Sequence, residues 1–338
     1  MQIKHARPVI GITMGDPAGI GPEILLSALA RPSLYKTANP VVIGDLAVLE
    51  AARRTTGAAL ELSPVPGPEA ARFSPGTVDV IALSDLSEDP AAWGAPTAGS
   101  GRAMIDYIER GIDLALEGKT HALVTGPINK TAMKLAESEF HGHTELLAHR
   151  TGAGRFAMMM AGPRLRIVLV TIHIPLRAVP EAVTPEKVLE TIRITHEALK
   201  ARFGIEAPKI AVAGLNPHAG EEGLFGDEEP ARIEPALEAA RASGIAATGP
   251  YPPDTVYHRA AAGQFDAVIA MYHDQGLIPF KMIHFEDGVN TTIGLPIIRT
   301  SVDHGTAYDI AGTGKADPAS LAAAVRMAAL QASFRRKP

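Results

Sequence analysis

The sequence predicts an α/β fold with a mainly parallel sheet, organised as two domains or as one large unit. Short β-branched runs alternate with longer helical patterns along the chain, which is the order of successive βαβ units. The strand candidates are almost continuously apolar, as expected when helices cover both faces of a sheet. At 338 residues, the chain also exceeds what one hydrophobic core usually serves.

The predicted elements follow one another with short connections. Seven segments have the composition of strands: 8–14, 40–45, 78–83, 121–127, 165–173, 209–218 and 265–273. Four segments have helical patterns: 22–30, 101–118, 185–204 and 233–244. The turn-rich stretch 63–76 is predicted to be a surface connection. We expect a first domain of residues 1–127 plus 305–338 and a second domain of residues 128–304.

Composition excludes several classes of protein. The formal net charge of −5 and the lack of a basic run interleaved with aromatics argue against nucleic acid and anionic membrane as partners. The chain has no cysteine, which excludes disulfides, thiolate zinc sites and a cysteine nucleophile and suits a reducing compartment. The apolar run from Ile167 to Ile172 is far too short to span a membrane. We therefore expect a soluble, cytoplasmic protein.

Three of the strand candidates end in a histidine. RIVLVTI leads to His173, KIAVAGLNP to His218, and FDAVIAMY to His273. Ligands of open parallel sheets bind beyond the carboxyl ends of the strands, so these imidazoles are placed to converge on one divalent metal ion with an open coordination position. A single histidine of this kind more often only bonds a carbonyl group. Three in the same topological position favour the metal.

A second cluster of polar residues follows His273. Asp274 is placed to orient His273 through a hydrogen bond. Arg299 could bind a phosphate or carboxylate through two parallel hydrogen bonds from its planar guanidinium group. Alternatively, it could form a structural ion pair with Asp303 or another carboxylate. Lys281 could contact the substrate, carry a proton, or only extend its charge to solvent, and its position does not decide between these roles.

Three further segments have motif-like character. FHGHTELL (140–147) opens a helix with Thr144 at a cap-like position, so that His143 and backbone amides could bind an anion, although a structural cap fits equally well. MGDPAGIGPE (14–23) joins the first strand to the first helix with Pro22 at the helix start, and it is not a G-x-G-x-x-G motif. The acidic stretch 216–229, which contains Asn216, is predicted to be a flexible loop that either closes over a cofactor or is merely solvated.

At these residues the sequence becomes recognisable. It resembles the 4-hydroxythreonine-4-phosphate dehydrogenase family of vitamin B6 biosynthesis over essentially its whole length, through the ordered motifs MGDPAGIGPE, VTGPINK, GHTELL, TIHIPLR, LNPHAGEEGLFGDEE, PPDT, YHDQG, PFK, GVNTTIGLPIIRTSVDHGTAYDIAG and GKAD. The resemblance implies two α/β/α domains similar to those of isocitrate and isopropylmalate dehydrogenases, with the active site in the cleft between them. It also implies a homodimer whose partners share the site.

The resemblance assigns roles residue by residue. It makes His173, His218 and His273 the ligands of one divalent ion, which could be Zn, Mg or Co. The substrate contacts it implies are His143, Thr144, Lys281, Asn290 and Arg299. NAD or NADP is expected near Asn216 and Asn290. Lys281 and Asp254, the latter within PPDT, are the catalytic candidates, with a metal-bound water as a further proton carrier.

The expected reaction is NAD(P)-dependent oxidation and decarboxylation of 4-phosphohydroxy-L-threonine to 3-amino-2-oxopropyl phosphate. The segment YHDQGLIPFK has the I-P-x-K form, which looks more like a related branch that oxidises 4-phospho-D-threonate or 4-phospho-D-erythronate to dihydroxyacetone phosphate. Another relative oxidises the cis-diol of an aromatic dicarboxylate. Two further classes remain open from the residues alone: a metal-dependent hydrolase or aldolase, and a phosphate-ligand binding protein without catalysis.

Overall fold

In the computed structural model, residues 7–88, 92–140 and 142–334 are described, and they fall into two units. Unit 1 contains the described residues up to Gly154 together with Leu295–Ser333, and unit 2 contains Arg155–Gly294 and Phe334. In the described ranges, no helix combines the length and apolar character needed to cross a membrane.

The strands, in chain order, are β1 (Val9–Thr13), β2 (Asn39–Gly44), β3 (Glu61–Pro64), β4 (Thr77–Ala82), β5 (Ala122–Thr125), β6 (Ala157–Ala161), β7 (Arg166–Leu169), β8 (Ile210–Ala213), β9 (Ala247–Tyr251), β10 (Ala267–Ala270), β11 (Val289–Ile293) and β12 (Arg299–Ser301). The α-helices are α1 (Gly21–Leu29), α2 (Leu46–Thr56), α3 (Ala98–Leu116), α4 (Lys130–Leu135), α5 (His143–Thr151), α6 (Val179–Ala182), α7 (Pro185–Phe203), α8 (Glu234–Ala242), α9 (Pro253–Ala261), α10 (His273–Ile283) and α11 (Ala319–Phe334).

Unit 1 is built on a parallel sheet with the strand order β3-β4-β2-β1-β5-β12. Its central strands are buried on both faces, which is why they read as continuous apolar runs. The long helix α3 packs on β1, β2 and β5. A capping box starts it: Ser100 N–H donates to Thr97 Oγ1 at 3.1 Å, and Thr97 N–H donates to Ser100 Oγ at 2.9 Å.

Unit 2 contains the strand order β11-β6-β7-β10-β8-β9. β7, β10, β8 and β9 are parallel, whereas β6 is antiparallel to both β7 and β11. The helices α9 and α10 cover this sheet near β8, β10 and β7. Their packing buries Phe280 and Val256 against Ile167 and Val268, and so fixes α10 relative to the strand that precedes it.

The α/β fold class is confirmed, and each of the seven predicted strands and four predicted helices overlaps an element of its type. The stretch 63–76 was predicted to be a connection, but it begins inside β3. The units also divide at other positions than expected, at Gly154/Arg155 and Gly294/Leu295. The cause is packing: α4 and α5 lie against α3, and β12 pairs with β5. His143, Thr144 and Arg299 therefore belong to unit 1.

The glycine-rich turn between β1 and α1 is packed without spare space. Gly15 has a φ of +83°, and a Cβ there would lie 2.5 Å from the Pro127 carbonyl oxygen. Asp16 N–H donates to that same oxygen at 2.9 Å. A Cβ on Gly21 would lie 2.2 Å from the Met14 carbonyl oxygen. The glycines here allow close approach of backbone segments, and Pro22 occupies the first turn of α1 as predicted.

Gly21→Ala is expected to destabilise the protein by about 1–3 kcal/mol, because the new methyl group overlaps a backbone oxygen that cannot rotate away. Urea unfolding followed by circular dichroism measures the effect. Gly154→Ala is the matched control, because no atom lies within 4 Å of its Cβ position, and it should change stability by less than about 0.5 kcal/mol. Equal unfolding midpoints for the two variants would contradict this packing argument.

Candidate active site

Three neighbouring parallel strands of unit 2 carry the strand-end histidines. β7 pairs with β10 and β10 with β8, so their carboxyl ends lie at one edge of the sheet. His173 follows β7, His273 is the first residue of α10 directly after β10, and His218 lies in the loop after β8. The three histidines therefore follow strand ends that lie at the same edge of the sheet.

His173 and His273 lie side by side. Their ring centroids are 5.6 Å apart. The Nδ1 of His273 is 2.7 Å from Asp274 Oδ1, which is the orienting contact predicted from sequence. If Nδ1 donates to this carboxylate, Nε2 of His273 is left as a lone-pair donor for a divalent cation. Two imidazoles so arranged have the donor chemistry of a zinc or cobalt site.

His218 is not brought into a three-residue group with this pair. Its ring lies 6.0 Å from that of Phe225, measured between centroids. Over residues 7–88, 92–140 and 142–334, no group of three or more His, Asp or Glu side chains has the spacing of a metal site. One chain thus assembles two of the three predicted ligands.

The acidic stretch that contains His218 is more ordered than a solvated loop. Residues 218–222 form a turn with positive φ angles throughout, from 43° to 83°. Glu229, at the end of the stretch, is only 1% exposed. The amide group of Asn216, predicted to contact a cofactor, donates to Glu228 Oε2 at 2.7 Å and to Glu229 Oε2 at 3.0 Å. These contacts make Asn216 part of the internal structure of the loop.

A buried glutamine ties two of the histidine-bearing strand ends together. Gln275 Oε1 accepts a hydrogen bond from Met271 N–H, which follows β10, and its Nε2 donates to the Gly214 carbonyl, which follows β8; both distances are 2.7 Å. Sequence reasoning missed Gln275, although it stands within YHDQG. Its signal was a polar side chain in the first turn of α10, directly before the mainly apolar run GLIPF.

In unit 1, a buried cation lies beside an imidazole. Arg299, at the start of β12, is 3% exposed and donates from Nη2 to Thr125 Oγ1 at 2.7 Å. Burial lowers its pKa to about 10. Burial and the charge of Arg299 lower the pKa of His143 well below its ordinary value, so His143 is neutral near pH 7. The Nε2 of His143 is buried without a hydrogen-bond partner in the described ranges.

Thr144 does not cap the helix as predicted. The N-cap of α5 is Gly142, whose extended backbone makes no side-chain capping bond, and His143 and Thr144 occupy the first turn. The helix therefore begins two residues earlier than a threonine cap would require. This places the His143 side chain, rather than Thr144 alone, at the amino terminus of α5, where the helix dipole favours anions.

The remaining predicted residues lie in unit 2. Lys281 is half-buried in α10, and Asn290 lies on β11 with its Oδ1 buried and, among described residues, unpartnered. Asp254 is exposed at the start of α9. With Tyr272 and Asp274, it lines a largely apolar cavity of about 770 Å³ between α9 and α10. Asp254 is therefore on the same cavity as the neighbours of His273.

Comparison with known proteins identifies the family. The family model described as pyridoxal phosphate biosynthetic protein PdxA matches residues 36–328. The chain belongs to the PdxA family. It is 60% identical to a 4-hydroxythreonine-4-phosphate dehydrogenase from Desulforapulum autotrophicum, covering 97% of this chain and 96% of the relative.

Two further PdxA relatives bear on substrate and fold. A D-threonate 4-phosphate dehydrogenase from Cupriavidus necator is 49% identical, over 97% of this chain and 98% of the relative. The crystal structure of a 4-hydroxythreonine-4-phosphate dehydrogenase from Klebsiella pneumoniae matches with a TM-score of 0.89 at 44% identity, covering 97% of this chain and all of that one. The chain is accordingly a dehydrogenase, an oxidoreductase acting on a CH–OH group.

His143→Asn is expected to reduce the loss of stability in mild acid. Because the pKa of His143 is lowered from its ordinary 6.5, the unfolded chain binds this proton more readily than the folded chain. The contribution of neutral His143 to the free energy of unfolding is present in full above pH 6.5. It is lost as the pH falls from 6.5 toward the pKa of His143 in the folded chain. Thermal unfolding scans from about pH 8 to about pH 5 measure it.

The matched control is His149→Asn, which changes an exposed histidine at the other end of α5. This variant should keep the acid sensitivity of the wild type. The melting temperature of each protein is compared at about pH 8 and about pH 5. If it falls by the same amount in His143→Asn and in the wild type, His143 is not held neutral by its surroundings.

Proposed function

We propose that the protein catalyses the NAD(P)- and metal-dependent oxidation and decarboxylation of 4-phosphohydroxy-L-threonine to 3-amino-2-oxopropyl phosphate. The observation that carries the proposal is the buried guanidinium of Arg299 beside neutral His143 at the amino terminus of α5. A buried cation at a helix amino terminus favours a phosphate, which it can bind through two parallel hydrogen bonds. The relative at 60% identity is named for this substrate.

The metal would be held by His173 and His273 of one chain, with His218 as third ligand in a site shared between partners of a homodimer. The ring distance of 5.6 Å between the first pair supports two ligands from one chain. The position of His218 outside that pair supports a donor from a second copy. Imidazole donors favour zinc or cobalt over magnesium, which prefers oxygen ligands.

A bound divalent ion would polarise the substrate hydroxyl, and a nicotinamide would accept the hydride. The side chains of the protein bind the substrate and orient the metal ligands. Asp274 fixes the tautomer of His273, and Arg299, His143 and Thr144 bind the phosphate. Lys281 is the proposed carrier of the hydroxyl proton, with Asp254 as the alternative carboxylate. Asn290, with its buried Oδ1, is proposed to contact substrate and nicotinamide.

The second candidate substrate is D-threonate 4-phosphate, oxidised by the same site to dihydroxyacetone phosphate. The relative from Cupriavidus necator supports it, as does the I-P-F-K form of the segment after YHDQG. Both substrates carry a terminal phosphate and a hydroxyl β to a carboxylate. They differ at the carbon next to the carboxylate, which bears an amine in one and a hydroxyl in the other.

The proposal includes a homodimer in the cytoplasm. The surface around α10 supports an interface, because it exposes large apolar side chains: Ile278 is 59% exposed, Met282 83% and Phe285 78%. Exposed apolar residues grouped in this way mark interaction surfaces. A chain without cysteine is in keeping with a reducing compartment.

The substrate is tested by a panel. Purified protein should reduce NAD or NADP most efficiently, by kcat/KM, with 4-phosphohydroxy-L-threonine rather than with the 4-phosphates of D-threonate and D-erythronate. The same acids without phosphate should react at least about 100-fold less well, because they lack the group that Arg299 and the amino terminus of α5 are proposed to bind. A higher kcat/KM for D-threonate 4-phosphate would establish the second candidate. Turnover without nicotinamide reduction would overturn both.

Removal of the metal should abolish activity. Dialysis against a chelator is expected to inactivate the enzyme, and added Zn²⁺ or Co²⁺ to restore it, because the hydroxyl proton is otherwise too weakly acidic. His173→Ala and His273→Ala should lose bound metal and activity together. His258→Ala, which changes an exposed histidine on α9, is the control. A metal-free His273→Ala enzyme with full activity would contradict the scheme.

A further inference from the structure

We infer that Glu229 is a positioning residue that holds His218 in the place from which it serves a metal ion. The inference rests on the proposed function, since it takes His218 as a metal ligand. Glu229 lies 11 residues after His218 along the chain (218 to 229). Its side chain nevertheless organises the backbone from which His218 departs.

The carboxylate of Glu229 is buried and accepts three hydrogen bonds from residues 214–218, the His218 segment. Its Oε1 accepts hydrogen bonds from the backbone N–H groups of Leu215 and Asn216, both at 2.8 Å. Its Oε2 accepts one from the Asn216 side chain at 3.0 Å. A buried carboxylate that receives backbone N–H groups forms charge-assisted bonds, which are stronger than neutral ones. The segment two residues before His218 is therefore fixed from inside the protein.

Two glycines make room for this carboxylate. A Cβ on Gly214 would lie 2.7 Å from Ala219 Cα and 3.1 Å from Glu229 Oε1. A Cβ on Gly220 would lie 2.7 Å from Glu229 Oε2, and Gly220 also has a φ of +83°. The loop is thus folded around the Glu229 side chain, with glycine on both sides of His218 where the carboxylate approaches the backbone.

His218 itself begins a strained turn. His218, Ala219, Glu221 and Glu222 all have positive φ angles, between 43° and 56°. Residues with side chains seldom adopt this left-handed conformation, and several in succession persist only when the surroundings hold them. The bonds to Glu229 are the buried contacts that do so on one side. Backbone bonds from Ala219 N–H to Asn216 O and from Phe225 N–H to Gly220 O, both at 3.1 Å, close the turn.

The other end of the segment is fixed to the strand that carries His273. Gly214 N–H donates to the Tyr251 carbonyl at 2.8 Å, and the Gly214 carbonyl accepts from Gln275 Nε2 at 2.7 Å. Because Gln275 lies two residues after His273, the start of the His218 segment has a fixed relation to α10. Glu229 then determines how the chain continues from Gly214 to His218.

Loss of the Glu229 carboxylate would leave two backbone N–H groups without their acceptor and release the strained turn. A purely structural role would lower stability alone. If Glu229 positions His218, its loss also weakens metal binding. It then also frees the backbone of residues 215–222, and this second effect is present in the metal-free protein. These two readouts separate the alternatives.

The experiment uses the full-length protein stripped of metal. The variants are Glu229→Ala, Glu229→Gln and the control Glu222→Gln, which removes the same charge from an exposed carboxylate of the same turn. Cobalt affinity is measured by titration with Co²⁺ and visible absorption, and amide hydrogen exchange is followed over residues 215–222 without metal. Thermal unfolding identifies any variant that does not fold.

Glu229→Ala is expected to weaken Co²⁺ binding by about 10- to 100-fold and to accelerate exchange in the 215–222 amides. Glu229→Gln should show a smaller effect of the same kind, since its amide oxygen still accepts the two backbone bonds but not the bond from Asn216. Glu222→Gln should match the wild type. If Glu229→Ala does not fold, the comparison of Glu229→Gln with Glu222→Gln decides the question.

Unchanged exchange in the Glu229 variants would overturn the inference, as would faster exchange with unchanged Co²⁺ affinity. An equal loss of affinity in Glu222→Gln would also overturn it, because charge rather than position would then be the cause. Wild-type Co²⁺ binding that survives His218→Ala would instead overturn the metal assignment in the proposed function. In that case the exchange rates still determine whether Glu229 holds the turn.

Discussion

The parallel pairing of β7, β10 and β8 is the constraint on which the proposed metal centre depends. Backbone hydrogen bonds set the register of these strands, and the register places the residues that follow them at one edge of the sheet. His173 and His273 meet there because each lies within four residues of its strand end. The apolar residues inside the strands contribute by burying both faces of the sheet, so that register slips are costly.

The proposed binding of the substrate phosphate depends on the desolvation cost of Arg299 and on the electrostatic attraction that offsets it. Burying Arg299 costs desolvation free energy, and this cost appears as its lowered pKa. His143 cannot offset it, because a neutral imidazole brings no negative charge and a protonated one would repel the guanidinium. A phosphate dianion bound as proposed would attract the guanidinium, and this local attraction does not depend on the acidic net charge of the whole chain.

The sequence predicted those features that a residue type determines directly by its position in a strand. Apolar runs located the buried parallel strands, and the histidines after them could be placed at a common edge because all parallel strands end on the same side. It failed for β6 and β11, whose short runs AMMMA and VNTTI pair antiparallel and give no signal of direction. The two units also divide at other positions than the predicted domain boundaries, because the packing of α5 on α3 is a long-range contact.

The acidic stretch 216–229 shows a further limit. Composition suggests solvation, since half of the residues in the stretch are polar or charged, and only the folded chain distinguishes buried Glu229 from exposed Glu221 and Glu222. The succession of positive φ angles at His218, Ala219, Glu221 and Glu222 could not be anticipated either, because such angles are uncommon for residues other than glycine. Strain of this kind is visible only once the contacts that compensate it are known.

The bridge made by Gln275 has a consequence for how the protein responds to its surroundings. Its amide joins the backbone after β10 to the backbone after β8 without carrying a charge. An amide has no proton to gain or lose across the physiological pH range, and salt screens its bonds far less than those of an exposed ion pair. This link between the two strand ends, unlike the contacts of the Glu229 carboxylate, should therefore keep its geometry in media of differing acidity and ionic strength.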